Sequence, residues 1–438
     1  MFNIFGTGSQ PNWFDTFEKN SEQIVIKTAQ CRSEGVSPGY SGPLVAKDGP
    51  AGASFFWHTC DLSGVQVYGS QFGLQARVIA YFAPNNPDLL QLYFNLTSAM
   101  LAALLVLVLL VFVRFVQKEF GKIPAATLLG FMAISDWIIG YSRNLYWASF
   151  LMFLPMVFSF VSYRWFKNRA KLPWFYALLA IFMWLKMLDG YEHVTTVGIS
   201  ALLPVLYFEL KNKVGLLKLW RQAVIVGLCT IIAFVAAYSI HLYSLERYYH
   251  SWAKAKHAIS QRAEARADFK MMQSNVIERF EVTQPVLFYG IDPYYDLDAL
   301  KKGDKNPINY AVLSLVDYLM LPAYSLPVGL RPAIGVAFQS ILFVAVTAYF
   351  LLRYVLRGRD SGETKAMWLL YWGGLIAAFS WLMAMPGHAY AHPHINGIVF
   401  YMPFILICYV IFGLAFAKRF PRFHPGSVAT VPTRRKTK

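Results

Sequence analysis

The chain has 438 residues, of which 56% are hydrophobic, 17% aromatic and only 15% charged, with a mean hydropathy of +0.40. A water-soluble domain carries about 25% charged residues, so this composition excludes a chain whose whole surface faces water. The formal charge of +16 does not point to nucleic acid, because Lys and Arg sit at the ends of apolar runs and in the tail Arg434, Arg435, Lys436, Lys438, where membrane proteins keep them.

In chain order, the first 92 residues read as an extramembrane loop with amphipathic helices. If Trp13–Glu22 is helical, Asp15, Glu18 and Glu22 fall at i, i+3 and i+7 on one face, with Phe14, Phe17, Ile24 and Val25 as the apolar partner set. A Gly-, Pro- and Ser-rich stretch over 33–64 follows, then a short amphipathic element over 68–84. Cys31 and Cys60 both lie in this loop; an oxidising compartment permits a disulfide there, and the sequence leaves the pairing open. Cys229 and Cys408 fall inside apolar runs and read as packing residues.

Nine apolar runs follow, at 93–113, 124–141, 145–163, 173–189, 193–210, 219–242, 332–352, 366–385 and 397–417. Each is about the length that crosses a bilayer as a helix. The connections alternate. Arg114, Lys118 and Lys122 make the first basic; the second has Arg143 alone; Arg164, Lys167, Arg169 and Lys171 make the third basic. An acidic turn with Asp189 and Glu192 comes next, then the basic Lys211, Lys213, Lys218 and Arg221, and later Arg353, Arg357, Arg359 and Lys365. Basic short loops stay in the cytoplasm. The expected fold is therefore an all-α polytopic membrane protein of a cell (inner) membrane, with its C-terminus cytoplasmic. Its regions are the first extracytoplasmic loop 1–92, a helix bundle 93–242, a second extracytoplasmic loop 243–331, the last helices 332–418, and a basic tail 419–438. Within the second loop, Glu246–Glu281 reads as a helix on the membrane surface, anchored by Tyr248, Tyr249 and Trp252. A translocated first loop needs a leader, and residues 1–25 contain none; a first helix upstream of Met1 is expected.

Polar residues beside membrane spans are costly and mark function. Here they gather at the outer ends of the runs. Arg143 and Asn144 sit in the turn Ser142–Trp147. Lys186 precedes the turn Asp189-Gly190-Tyr191-Glu192-His193, within helical reach of Asp189. His388, Tyr390, His392, His394 and Asn396 fall in the turn 386–396. Two histidines at i, i+4 begin a metal site, but Pro393 interrupts the helix and no third ligand has matching spacing; no metal set is expected. Asp136 is a further acid within a run, with no role assigned. An enzyme at the outer face has no nucleotide pool, so a lipid-linked sugar phosphate is the fitting donor. Arg143, Asn144, Lys186, His388, His392 and His394 would hold its phosphate as leaving group. A carboxylate among Asp15, Glu18 and Glu22 would act as general base on the acceptor hydroxyl, with inversion. Asp189, Tyr191, Glu192, His193, Tyr390 and Asn396 would contact substrate, with aromatic faces such as Tyr68 and Trp147 available for sugar stacking. No cofactor is called for, and a divalent cation is left open.

With these residues the chain resembles the integral-membrane glycosyltransferases of the GT-C superfamily, which includes the protein O-mannosyltransferases and the aminoarabinose transferases. The resemblance implies many spans, a large first outer loop with an essential acid, a polyprenyl-phosphate sugar as donor, and a glycan, lipid or protein as acceptor. By that resemblance the acid is Asp15, with Glu18 and Glu22 beside it, and the segments Ser142–Trp147 and Gly387–Asn396 look like phosphate-holding turns. The chain departs from the pattern in lacking the first helix and a paired Asp-Asp or Asp-Glu. The rival readings are an envelope polysaccharide polymerase or ligase, suited by the 243–331 loop, and a lipid or solute transporter, for which internal repeats and midplane polar residues are wanting.

Overall fold

The computed structural model describes residues 19–36, 39–46, 60, 65–168, 170–267, 322–325, 336–338, 345–349, 362–385, 395 and 397–419. It is mostly helical. Helix α1 (Lys19–Ser33) and the two-stranded sheet of β1 (Leu44–Ala46) and β2 (Val65–Val67) precede α2 (Leu74–Phe82). The strands run antiparallel with Leu44 opposite Val67. Cys31 and Cys60 form a disulfide with Cα atoms 4.9 Å apart, which ties α1 to the segment ahead of β2.

The bundle follows as α3 (Leu90–Phe120), α4 (Lys122–Ala133), α5 (Asp136–Arg143), α6 (Ser149–Phe166), α7 (Leu172–Asp189), α8 (Val194–Lys211) and α9 (Leu216–Tyr249). Beyond it lie α10 (Trp252–Ala267), the antiparallel pair β3 (Pro322–Ser325) and β4 (Val336–Phe338), α11 (Gly362–Ala384) and α12 (Phe404–Arg419). Among the described residues, six helices are long and apolar enough to cross a membrane, namely α3, α6, α7, α8, α9 and α11, and the bent pair α4–α5 makes a seventh if counted as one span.

The side-chain pattern explains why these helices suit lipid. On α3, the inward stripe Leu90, Phe94, Leu101, Leu105, Leu109, Phe112, Val116 and Phe120 is buried at spacings of three, four or seven, while Leu92, Leu96, Met100, Leu107, Leu110 and Val111 are exposed. On α9 the buried face is Gln222, Val226, Cys229, Ala233, Ala237, His241 and Leu245, and Leu228, Ile231, Ile232 and Val235 face outward. Apolar faces of this extent have no place in water. Exposed aromatics bound them: Trp165, Trp174 and Trp220 at one end of the bundle, Tyr81, Phe82, Tyr243 and Trp252 at the other. From Trp220 to Tyr243, α9 measures about 35 Å, matching the hydrocarbon core with its interfacial belts.

Four expected elements differ. The 124–141 run is two helices bent by 62°, because Ser135 caps a fresh helix by accepting from the Ile138 amide (3.4 Å). The 332–352 run is not helical from its start: Val336–Phe338 is a strand paired with Pro322–Ser325, and helical backbone is described at 345–349. There Thr347 meets Tyr371 at 2.8 Å, midway along α11. The 397–417 run divides into a 3₁₀ turn, Gly397–Tyr401, and α12. Residues from Phe404 to Ile411 are all buried, as a helix apolar all round must be; α12 is an interior helix packed on α4 and α11. Gly374 makes this possible, since a Cβ there would stand 3.0 Å from the Phe404 Cα. Finally, Glu246, Tyr248 and Tyr249 belong to the end of α9, and the surface helix begins at Trp252 after His250, whose φ is 50°. Tyr248 and Tyr249 are half-buried, and Tyr248 packs against Tyr40 at 5.5 Å; of the three expected anchors, Trp252 is the exposed one.

Candidate functional site

The α5–α6 turn and the α7–α8 turn lie at the same end of the bundle, and α1 and α2 lie across them. Glu22 of α1 is buried. Its Oε1 accepts from the Leu145 amide at 2.9 Å and its Oε2 stands 3.4 Å from the Arg143 guanidinium. Arg143 is α5's last residue, and its side chain keeps 19% exposure. Asn144 is buried and accepts from the Tyr146 amide at 2.8 Å, tightening the turn. Gln75 of α2 donates to the Tyr146 carbonyl. The Tyr146 hydroxyl lies 3.2 Å from that of Tyr68.

In the neighbouring turn, Lys186 is wholly buried. Its ammonium donates to the Gly190 carbonyl at 2.7 Å and lies 3.8 Å from Asp189 Oδ2. Asp189, also buried, accepts from the Ala148 amide at 3.4 Å, so the two turns are joined directly. With its amide nitrogen oriented as donor, Gln71 bridges Glu192 at 3.0 Å and Tyr146 Oη at 3.3 Å. A Cβ at Gly190 would meet the side-chain ends of Glu192 and Gln71, which would have to shift to admit it. Tyr191 stands 3.2 Å from His241 Nδ1 on α9 and packs edge-on to Phe234 at 5.5 Å. Burial pushes the Tyr191 phenol above its usual range. His193 is buried, starts α8 with φ 63°, and lies edge-on to Trp381 at 5.0 Å.

The structure thus brings together Glu22, Arg143, Asn144, Lys186, Asp189, Tyr191, Glu192 and His193 at one end. Asp15, Glu18, His388, Tyr390, His392, His394 and Asn396 lie outside the described residues, as does the side chain of Asp136. Ile395, inside the His-rich turn, accepts from Tyr141 of α5; α5 therefore holds one flank of that turn near the Arg143 turn. Lys186 departs from the simplest phosphate-ligand picture. Its charge is spent within its own turn, and the partly exposed cation among these is Arg143. Among the described residues, no three His, Cys, Asp or Glu side chains gather as metal ligands.

The sequence reading missed Gln71, Gln75, Arg77 and His241. The signals were present: Gln71 and Gln75 are one helical turn apart in spacing, and His241 is the one imidazole in the apolar run 219–242. At the opposite end, Glu119 is met by Arg164 (3.1 Å), Lys211 and Tyr207, and buried Glu209 by Tyr163 (2.8 Å), Lys167 (3.1 Å) and Lys218 (3.0 Å). Comparison with protein-family models, with curated proteins and with solved structures finds no match for this chain.

Proposed function

We propose that this chain is a membrane glycosyltransferase that moves a sugar, with inversion, from a polyprenyl-phosphate donor to a glycan, lipid or protein acceptor at the extracytoplasmic face. The observation that supports it is the meeting of ionisable groups from α1 and two separate turns, with Glu22, Arg143, Lys186, Asp189 and Glu192 at one end of an apolar bundle. The Cys31–Cys60 disulfide beside that end favours an oxidising compartment. The Lys- and Arg-rich opposite end favours the cytoplasm, and with it a cytoplasmic C-terminus.

In this reading the Arg143 guanidinium contacts the donor phosphate and stabilises it as it departs. Glu22 fixes Arg143 and the Leu145 amide, so it serves as a positioning residue, and Lys186 with Asp189 holds the adjoining turn. The base is Asp15, with Glu18 next to it. It takes the acceptor hydroxyl proton while the new C–O bond forms at the anomeric carbon. The bond to phosphate breaks, and the lipid phosphate leaves with its electron pair.

The test is transfer in proteoliposomes supplied with a panel of polyprenyl-phosphate sugars. Asp15→Asn should abolish transfer with expression unchanged, and Arg143→Ala should raise the donor KM at least about tenfold. Full activity in Asp15→Asn removes that residue as base, and no transfer from any donor removes the proposal.

A further inference from the structure

Arg77 of α2 is a half-buried cation that meets only neutral acceptors. Its Nε donates to the Phe72 carbonyl at 2.9 Å, and its terminal nitrogens donate to Ser41 Oγ at 2.6 Å and Ser244 Oγ at 2.8 Å. The guanidinium lies 4.0 Å over the Phe72 ring and 5.0 Å from the centre of the Tyr40 ring. Arg143 and Lys186, at the same end, have Glu22 and Asp189. Arg77 has no carboxylate partner among the described residues. A desolvated charge without a counter-charge is costly.

A second group points the same way. His241, three residues before Ser244 on α9, is wholly buried. Its Nδ1 is 3.2 Å from Tyr191 Oη, and its Nε2 has no hydrogen-bond partner among the described residues. Arg77 reaches α9 through Ser244, one helical turn from His241 on the same helix. A guanidinium with no carboxylate partner among the described residues, bonded one helical turn from an imidazole whose Nε2 is unsatisfied among them, calls for a group with negative charge and several acceptor oxygens, which is phosphate. The rest of α2 indicates depth: Val78, Tyr81 and Phe82 are exposed, and such side chains seat a helix in the interface, which puts Arg77 at headgroup level.

We infer that Arg77, Ser41, Ser244 and His241 form a phosphate-binding site at the membrane surface, separate from the Arg143 turn. The site stands independently of the transferase reading. Its phosphate comes from a phospholipid headgroup or from free phosphate, and the test tells the two apart.

Thermal unfolding of the full chain in maltoside detergent is followed with increasing phosphatidylglycerol, or with inorganic phosphate against chloride at equal ionic strength. The wild type should show a saturable rise in Tm. A rise with phosphatidylglycerol alone assigns a headgroup, and a rise with inorganic phosphate assigns free phosphate. Arg77→Gln should weaken the apparent affinity about tenfold or more, and His241→Phe by a smaller factor. Arg247→Gln, which removes an exposed charge from the same helix, should leave it unchanged. If Arg77→Gln does not fold, Arg77→Lys and His241→Phe serve in its place. No rise with either ligand, or wild-type affinity in the Arg77 and His241 variants, overturns the site.

Discussion

Glu22 illustrates how a single carboxylate joins parts of the chain distant in sequence. Through it α1 reaches both the Arg143 side chain and the Leu145 amide, so Glu22→Ala removes the acceptor of a buried N–H and the carboxylate facing a half-buried guanidinium. That substitution should cost about 1–3 kcal/mol, read as a fall in Tm, with Glu22→Gln keeping part of it. A Tm unchanged in Glu22→Ala would mean that the contact is incidental. Gly190 is tested the same way. Because a Cβ there meets only the side-chain ends of Glu192 and Gln71, Gly190→Ala should displace those ends and destabilise by about 1 kcal/mol or less, and a loss of several kcal/mol would mean that they cannot give way. At this scale the sequence disclosed which polar residues lie in the turns better than what they contact. Lys186 stands out as a cation at a span end, yet its donation to its own turn's carbonyl depends on the conformation of Gly190, which no spacing rule supplies. Arg77 and His241 were passed over because each is isolated in sequence and their proximity is purely tertiary.

Among the elements, the long helices were the most legible, because an apolar run of about 20 residues admits few alternatives to a span. α3, α6, α7, α8 and α9 fall where hydropathy puts them. Breaks inside runs were not legible. The Ser135 cap divides one run, and the interior position of α12 depends on Gly374 admitting the Phe404 backbone, a contact between segments rather than a property of either. The two faces of α3 yield a further expectation. Leu107 is 59% exposed, midway along α3. If that face meets lipid, Leu107→Lys should reduce insertion and expression, at a cost of about 2–3 kcal/mol. Leu107→Phe should be tolerated. A freely tolerated lysine would mean that this face meets water.

For the whole molecule, charge alternation and helix direction agree. α8 and α11 are antiparallel, with His193 beside Trp381 and Thr196 bonded to the Ala377 carbonyl at 2.9 Å, so Lys365 near the start of α11 and Lys211 at the end of α8 share one end. Cysteines introduced at Glu264 and Lys218 should label from opposite sides of a sealed vesicle, and labelling from the same side would overturn the topology. Of the expected turns at one depth, the structure joins the Arg143 and Lys186 turns through Asp189 and the Ala148 amide, and the acids of 15–18 and the histidines of 388–394 lie outside the described residues. What those turns bind is the central question. The most direct measurement is photocrosslinking with a polyprenyl phosphate that carries a diazirine near its phosphate, followed by peptide mapping of the full chain in proteoliposomes. A polyprenyl phosphate seated at these turns should give adducts within residues 142–148 and 186–193, lost in Arg143→Ala. Adducts confined to the Arg164–Lys167 and Lys211–Lys218 end, or none above the level of a lipid without phosphate, would contradict that seating.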